Sequence, residues 1–492
     1  MHDSGLDIGG LLGGLERRLR RTMRGVDLGP GGLISITLAS PELATRPLAR
    51  LSGEFLYWAR PSEGQLRLGM GHCHAMDARG PTRMYRLEQG FNDLCRVWQH
   101  LDPDATGLSA QAYLGFAFDP SDPMTGAWSG LPNATLRIPS LMLEQRGPLC
   151  ALTFSAASPG CGRAEPPLKE WLALASRLLQ ALVLARCPVA VGLGHPLTRL
   201  QSVPSHGEWS DRVGMTVRAI EQGRLEKAVL MRRVRFSAAP APGVGRILGW
   251  LAGEYPECLQ FAVNCGAGSL IGVSPERLVR RQGRNVVCDA VAGTLARAQG
   301  PVHLAGDQKL RHEQGLVVSA ISEVLGGLCG EVWTPAGPGL LSLANVRHLW
   351  SPIQGCLRPG VSLFELASRL HPTPAVGGVP REAVGPWLRR LGEESRGWYT
   401  GALGWVGPDG DGELSVILRC ALLQGRMADL YVGAGIVSGS DPDAEFVETE
   451  WKLLTMQEAL AQSKTAVRRA AHSPPWVAQD WAMAPPNPSA LS

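Results

Sequence analysis

From residue 33 to residue 154, apolar positions fall in short runs, alternating or continuous, each closed by Gly, Pro, Asp or Ser: 33–38, 54–59, 65–70, 112–118, 135–143 and 150–154. Runs of that length and period predict antiparallel strands. Helical spacing takes over at 167–186. A Pro-, His- and Ser-rich stretch at 188–206 predicts a linker, and Val213, Val217 and Ile220 then mark an amphipathic helix over 208–222. Strand patterns return at 228–236, 259–264, 269–272, 278–281 and 286–290, and helical ones at 308–327, 362–370, 380–391 and 443–463. Two more strands are predicted at 399–406 and 413–424, joined by a turn reading PDGDG. Strand blocks alternating with helix blocks, without a repeat, predict one large α/β unit of the α+β kind. Residues 1–205 would form its N-terminal half, 206–465 the region with the candidate chemistry, and 466–492, rich in Ala and Pro, a disordered tail.

Composition narrows the function classes. Net charge is +4, from 48 basic and 44 acidic residues, too balanced for a nucleic-acid-binding surface. The longest apolar helical stretch, 171–187, contains Arg177 and Arg186 and is too short to span a bilayer. No signal-peptide core precedes the first arginines, and the arginines around Leu15 and Leu19 read as the solvated face of a first helix. Eleven scattered cysteines without a CxxC pair read as reduced thiols, and a cytoplasmic protein is expected. His72-Cys73-His74 lacks a second ligand pair at finger-like spacing, so no zinc site is expected there.

The densest candidate chemistry runs from Gly433 to Lys452. A glycine-rich strand end leads into Glu445, Glu448 and Lys452, which share one face if residues from 443 onward are helical. Two acids and a lysine beside exposed backbone N–H groups suit a metal ion holding an anion. A solvated helix face with a Glu448–Lys452 ion pair explains the same spacing. Lys227 stands at the mouth of a strand near Arg232 and Arg233, where burial and cations would favour its neutral, basic form. A surface lysine is the alternative. Glu276 ends an apolar run in Ser274-Pro275-Glu276, where a buried acid can stay protonated, or where the strand simply turns. Glu313 is a further hard-cation ligand candidate or a solvated acid in a helix's first turn. Arg419, at a strand end, can fork onto a carboxylate or merely face water.

Nine segments taken together resemble the chorismate-utilising enzymes: KAVLMRR, SPERLV, AVAGT, RHEQGLVVSAI, VRHLWSPI, LHPTPAVGGVPREA, YTGALGWV, VILRCAL and GAGIVSGSDPDAEFVETEWKL. The resemblance covers about 208–460, with FLYWARP and YLGFAFDP similar to the N-terminal half of isochorismate synthases of the menaquinone branch. It implies two pseudo-equivalent halves with large antiparallel sheets packed face to face, helices outside and the active site between. It implies Lys227 as the base that activates water toward C2 of chorismate, and Glu276 as the acid for the departing C4 hydroxyl. Mg²⁺ would be held by Glu313 and Glu448, with Glu445 nearby. Tyr399, Arg419, Gly433 and Lys452 match positions that bind the substrate's carboxylates. His348 matches a histidine near the leaving or lyase end, Gly293 lies where the attacking water is positioned, and Thr294 and Ala375 are further implied substrate-binding positions.

Within the family, Ala292 stands where ammonia-using members that make aminodeoxychorismate carry a nucleophilic lysine, and Lys227 is lacking in anthranilate-forming members. Water is therefore the implied nucleophile, with no glutamine amidotransferase subunit. Ala375 stands where salicylate-forming relatives tend to have threonine, which favours stopping at isochorismate. Three departures are Leu418 for isoleucine, Leu310 for an acid or amide, and Gln314 for histidine; the last two bear on how the metal ligand is oriented. The implied activity is Mg²⁺-dependent isomerisation of chorismate to isochorismate for menaquinone synthesis, by a monomer or homodimer. A salicylate synthase, a siderophore-pathway isochorismate synthase and an inactive chorismate-binding homologue are the alternatives.

Overall fold

The computed structural model describes residues 7–24, 26, 31–44, 51–158, 167–183, 196–264, 266, 268–296 and 307–462. The expected tail and most of the non-strand part of the 188–206 stretch lie outside them. Among the described residues two sheets form, one of 13 strands and one of 10, with neighbouring strands almost all antiparallel. The larger sheet runs from Leu197–Val203 through Lys227–Ala238, Met427–Ile436, Cys420–Gln424, Ser269–Ser274 and Leu259–Asn264 into the N-terminal strands Phe55–Arg60 and Gln65–Met70. The smaller contains Val346–Leu357, Asn285–Ala296, Arg277–Gln282, Gly412–Val416, Ala402–Val406 and Ala112–Phe116. Strands from before and after residue 205 thus share both sheets.

The sheets meet over Trp58, Phe261, Cys420 and Tyr431 from one side and Tyr113, Trp398 and Leu403 from the other. Helices cover the outer faces. Ile8–Thr22, Leu168–Val183, Val244–Glu254 and Pro442–Ala461 pack on the larger sheet, and Arg83–Val97, Gln308–Leu328 and Leu363–Leu370 on the smaller. The sandwich with external helices agrees with the sequence expectation. None of the described helices is long and apolar enough to cross a membrane.

Local chemistry accounts for the helices that carry the candidate residues. Asp307 caps Gln308–Leu328 by accepting from the N–H groups of Lys309 and Leu310. Asp441 caps Pro442–Ala461, with Pro442 in the first turn beside Asp443 and Glu445, where the helix dipole favours acids.

Several expectations need correction. Leu197–Val203 is an edge strand, not linker. Arg83–Val97 and Val244–Glu254 are helices that the strand-dominated reading missed, as it missed the long strand Val346–Leu357. The run 135–143 divides at Pro139 into Ala134–Ile138 and Leu141–Arg146, in different sheets. The run 413–424 likewise divides into Gly412–Val416 and Cys420–Gln424. There the break is Arg419, at φ +43°. Residues 399–401 form a turn ahead of the strand Ala402–Val406.

Two crossings between the sheets lie side by side. One joins Ser269–Ser274 to Arg277–Gln282 through Pro275 and Glu276, and the other joins Gly412–Val416 to Cys420–Gln424 through Ile417, Leu418 and Arg419. They are laced together: Val273 N–H donates to Arg419 O at 3.2 Å, and Val416 N–H donates to Glu276 O at 3.1 Å.

Candidate active site

A cleft enclosing about 630 Å³, its open mouth included, lies at these crossings. Glu276, Ala375, Tyr399 and Arg419 line it together with Gly293, Thr294, Glu313, His348, Gly433 and Lys452. Lys227, Glu445 and Glu448 are not on its surface but touch residues that are, or stand one contact behind them.

Lys227 is the first residue of its strand and is fully buried. Its Nζ is ion-paired with Glu313 Oε1 at 2.9 Å, at an angle short of a good hydrogen bond. The pair lies on bare backbone at Gly435. A Cβ there would collide with Glu313 Oε1 and come within 2.9 Å of Lys227 Cε. The arginines expected to press on Lys227 turn elsewhere: Arg232 onto Thr449 and Glu450, Arg233 onto Glu394. Glu313 lies inside its helix rather than opening it, with a side chain only 13% exposed. Burial opposes its charge, but Lys227, Lys452 and Lys309 outweigh burial and hold the carboxyl below its usual value.

Glu276 is enclosed in its crossing, and Oε1 has no protein partner. Burial first, and the charge of Asp289 second, push its carboxyl up to about 8. A carboxyl so placed keeps its proton at neutral pH, as a general acid must.

Arg419 stands on the crossing laced to that of Glu276. Its positive φ turns the strand end so that the buried guanidinium enters the cleft, where Nη1 has no protein partner. Nη2 donates to His348 Nε2 at 2.9 Å. Because arginine only donates, His348 carries its proton on Nδ1, which reaches Thr294 Oγ1 at 3.2 Å. Burial, then the charges of Arg419 and Lys452, holds His348 neutral. Tyr399 stacks on Tyr431, with ring centroids 5.7 Å apart, and burial raises its hydroxyl pKa. The turn bearing Ala375 is tied down by Arg396, which donates to Val376 O at 2.8 Å and Val229 O at 2.6 Å, and by His371, whose Nε2–H donates to Thr400 O at 2.8 Å.

The metal-side residues stand behind this chamber. The helix Pro442–Ala461 brings Glu445, Glu448 and Lys452 to one side as the spacing predicted. Lys452 Nζ donates to Glu448 Oε1 at 2.6 Å and to Gly433 O at 2.9 Å. The neighbouring strand Cys420–Gln424 begins opposite Tyr431, which leaves Gly433 unflanked on that edge. Glu445 accepts from Lys309 Nζ at 2.6 Å and from Ser440 Oγ at 2.7 Å, and burial plus the Glu448 charge raise its carboxyl. Each of the three carboxylates therefore faces a lysine. As the side chains stand, no three metal-ligating groups among the described residues could enclose an ion. The donor chemistry fits a hard cation all the same: Glu313 and Glu448 offer carboxylate oxygens, with Glu445 behind. His72 Nδ1 pairs with Glu54 at 2.8 Å.

Gly293, at φ +67°, occupies a bulge between Ala292 and Thr294, with Leu310 packed against it. Gln314 donates to Ala290 O at 3.0 Å and Ser351 Oγ at 3.2 Å, pinning its helix to the sheet. Sequence reasoning missed Gly435, Thr400 and Tyr431 on the cleft wall, and the roles of Lys309 and Ser440 behind it. Gly433 and Gly435 share one face of a strand by period two, a signal that could have found the second.

Residues 32–461 match the family model described as chorismate binding enzyme. The chain is 33% identical over 418 residues to the salicylate biosynthesis isochorismate synthase of Pseudomonas aeruginosa, covering 82% of this chain and 84% of that protein. It is 27% identical over 429 residues to isochorismate synthase MenF of Bacillus subtilis, covering 84% and 88%. The solved structure of MenF, the menaquinone-specific isochorismate synthase of Escherichia coli, superposes with a TM-score of 0.71 at 25% identity, covering 92% of this chain and 99% of that one. With a match over nearly all its described residues, this chain belongs to the chorismate-binding enzyme family.

Proposed function

We propose that this protein is an isochorismate synthase, isomerising chorismate by adding water at C2 and expelling the C4 hydroxyl. The observation that carries this reading is Glu276, a carboxyl raised to about 8 in the same cleft as a partnerless arginine nitrogen. Lys227, entering the step as the free amine, takes a proton from the attacking water, Glu276 gives one to the departing hydroxyl, and the ring double bonds shift between them. The nucleophile's oxygen stays on C2 and the leaving oxygen departs as water, so protons and atoms balance. Arg419, Tyr399 and Lys452 hold the two carboxylates, and neutral His348 orients the guanidinium. Glu313 and Glu448, supported by Glu445, would hold Mg²⁺, which would neutralise charge gathered around the ring carboxylate.

Relatives named as isochorismate synthases support the product assignment, and Ala375 beside the cleft favours release before pyruvate is lost. A menaquinone-branch role, a cytoplasmic location and action without an amidotransferase subunit complete the proposal. Incubating the protein with chorismate and Mg²⁺ tests it: isochorismate is the expected product. Salicylate with pyruvate would favour the salicylate-forming reading, and aromatic product only with ammonia would refute both.

A further inference from the structure

The strand Asn285–Ala296 carries a buried carboxylate that the chemistry above does not use. Asp289 Oδ2 accepts the backbone N–H of Arg277, the residue directly after Glu276, at 3.2 Å. Its Oδ1 accepts the indole Nε1–H of Trp350, on the neighbouring strand, at 2.9 Å. The Arg277 guanidinium stands 3.8 Å from Oδ2 but is shared with Glu413 at 3.3 Å and Glu63 at 3.5 Å. The carboxylate is thus anchored by an indole and grips the peptide on which the acid is mounted. Glu276 also feels the charge of Lys227, on the strand Lys227–Ala238, and the hydroxyl of Thr373, in the turn before Ala375, both of which favour its ionised form. Glu313, His348, Arg419 and Lys452 face the same cleft.

We propose that Asp289 is a positioning residue for the general acid, fixing the Glu276–Arg277 peptide in the crossing and keeping the acid's proton in place by its own charge. Two like charges close together in a dry interior cannot both form cheaply, so the anchored one keeps the other neutral. The same ordering, burial first and Asp289 second, governs the Glu276 carboxyl. This inference rests on the reading of Glu276 as the acid.

The test is a stability cycle read against pH, with wild type, Glu276→Gln, Asp289→Asn and the double variant melted from about pH 5 to about pH 9. Glutamine cannot ionise, so the stability difference between each pair follows the ionisation of Glu276 alone. In Asp289→Asn the amide oxygen can still accept the Arg277 N–H, so that bond survives while the charge and the Trp350 indole bond are lost, a loss that is the same at every pH. The midpoint is expected about one pH unit lower in the Asp289→Asn background, with kcat for chorismate reduced and KM unchanged. An unmoved midpoint, or a loss of stability equal at every pH, overturns the proposal and leaves Asp289 a structural anchor. Should Asp289→Asn not fold, Asp289→Ser removes the charge and keeps an acceptor for the same measurement. The cycle reads ionisation whether or not chorismate turns over, so a wild type without isochorismate activity would count against the function and not against Asp289.

Discussion

Lys227 Nζ lies 2.9 Å from Glu313 Oε1, and both rest on the bare backbone of Gly435. The proposed base and a proposed metal ligand are therefore held as one unit by the absence of a side chain. Gly435→Ala should push the pair apart, lowering kcat by roughly tenfold or more and costing about 1–3 kcal/mol of stability. Steady-state kinetics beside a denaturant melt will check this; wild-type kcat would show that the pair can shift without consequence.

Glu276 sets a pH signature. Its folded carboxyl, near 8, lies above the ordinary 4.5, so the folded state binds the proton more tightly than the unfolded chain. Its stabilising contribution is complete below about pH 4.5 and is lost as pH rises through about 8. Glu276→Gln, which stays neutral, should match wild type at pH 4 to 5 and exceed it by a few kcal/mol above about pH 8, since each pKa unit is worth ~1.4 kcal/mol. The same variant should lose turnover while still binding chorismate. Melting curves at several pH values and a binding titration decide the matter.

Lys227→Ala should likewise abolish turnover with chorismate affinity largely kept. Product formation by liquid chromatography, alongside calorimetric binding, measures both; retained activity would remove Lys227 from the base role.

Arg419→Lys should raise KM for chorismate by roughly tenfold or more, because a lysine cannot present the paired N–H groups that a carboxylate accepts. It also cannot keep the bond to His348 while reaching the ligand. Inhibition constants for a chorismate analogue, unaffected by chemistry, give an independent reading.

Magnesium binding should depend unequally on the three glutamates. Glu445 is already committed to Lys309 and Ser440, whereas Glu448 is paired with Lys452 and Glu313 with Lys227. Titration calorimetry should find Mg²⁺ affinity cut about tenfold or more by Glu448→Gln or Glu313→Gln and less by Glu445→Gln. Equal losses would make all three direct ligands. Chelation of the metal should stop turnover and be reversed by adding Mg²⁺.

Much of the fold was legible because period-two runs such as 65–70 and 259–264 coincide with strands, and because the helical spacing at 308–327 and 443–463 coincides with helices. The alignment of Glu445, Glu448 and Lys452 followed from helical spacing alone. The helix Arg83–Val97 was not legible: its buried Met84, Leu87 and Phe91 are thinly spread among polar residues. The division of 413–424 was hidden because a single arginine between the apolar runs 416–418 and 420–423 carries no sign that it adopts a left-handed backbone. Nor does local pattern reveal that Lys227 meets Glu313, which a distant helix brings to it, or that Asp289 reaches the residue after Glu276 across the paired strands Arg277–Gln282 and Asn285–Ala296. Local sequence could also not foresee that Arg232 and Arg233 would be claimed by Glu450 and Glu394.

The lacing of the two crossings divides the cleft mechanically. Glu276 and Arg419 ride on segments bonded to each other through Val273 and Val416, whereas Glu313 and Glu448 ride on helices laid against the sheets. A shift of either helix against its sheet would leave the spacing between proton donor and anion anchor unchanged, because the laced crossings hold it. Amide hydrogen exchange at Val273 and Val416 should accordingly be among the slowest in the chain, and rapid exchange there would break this picture.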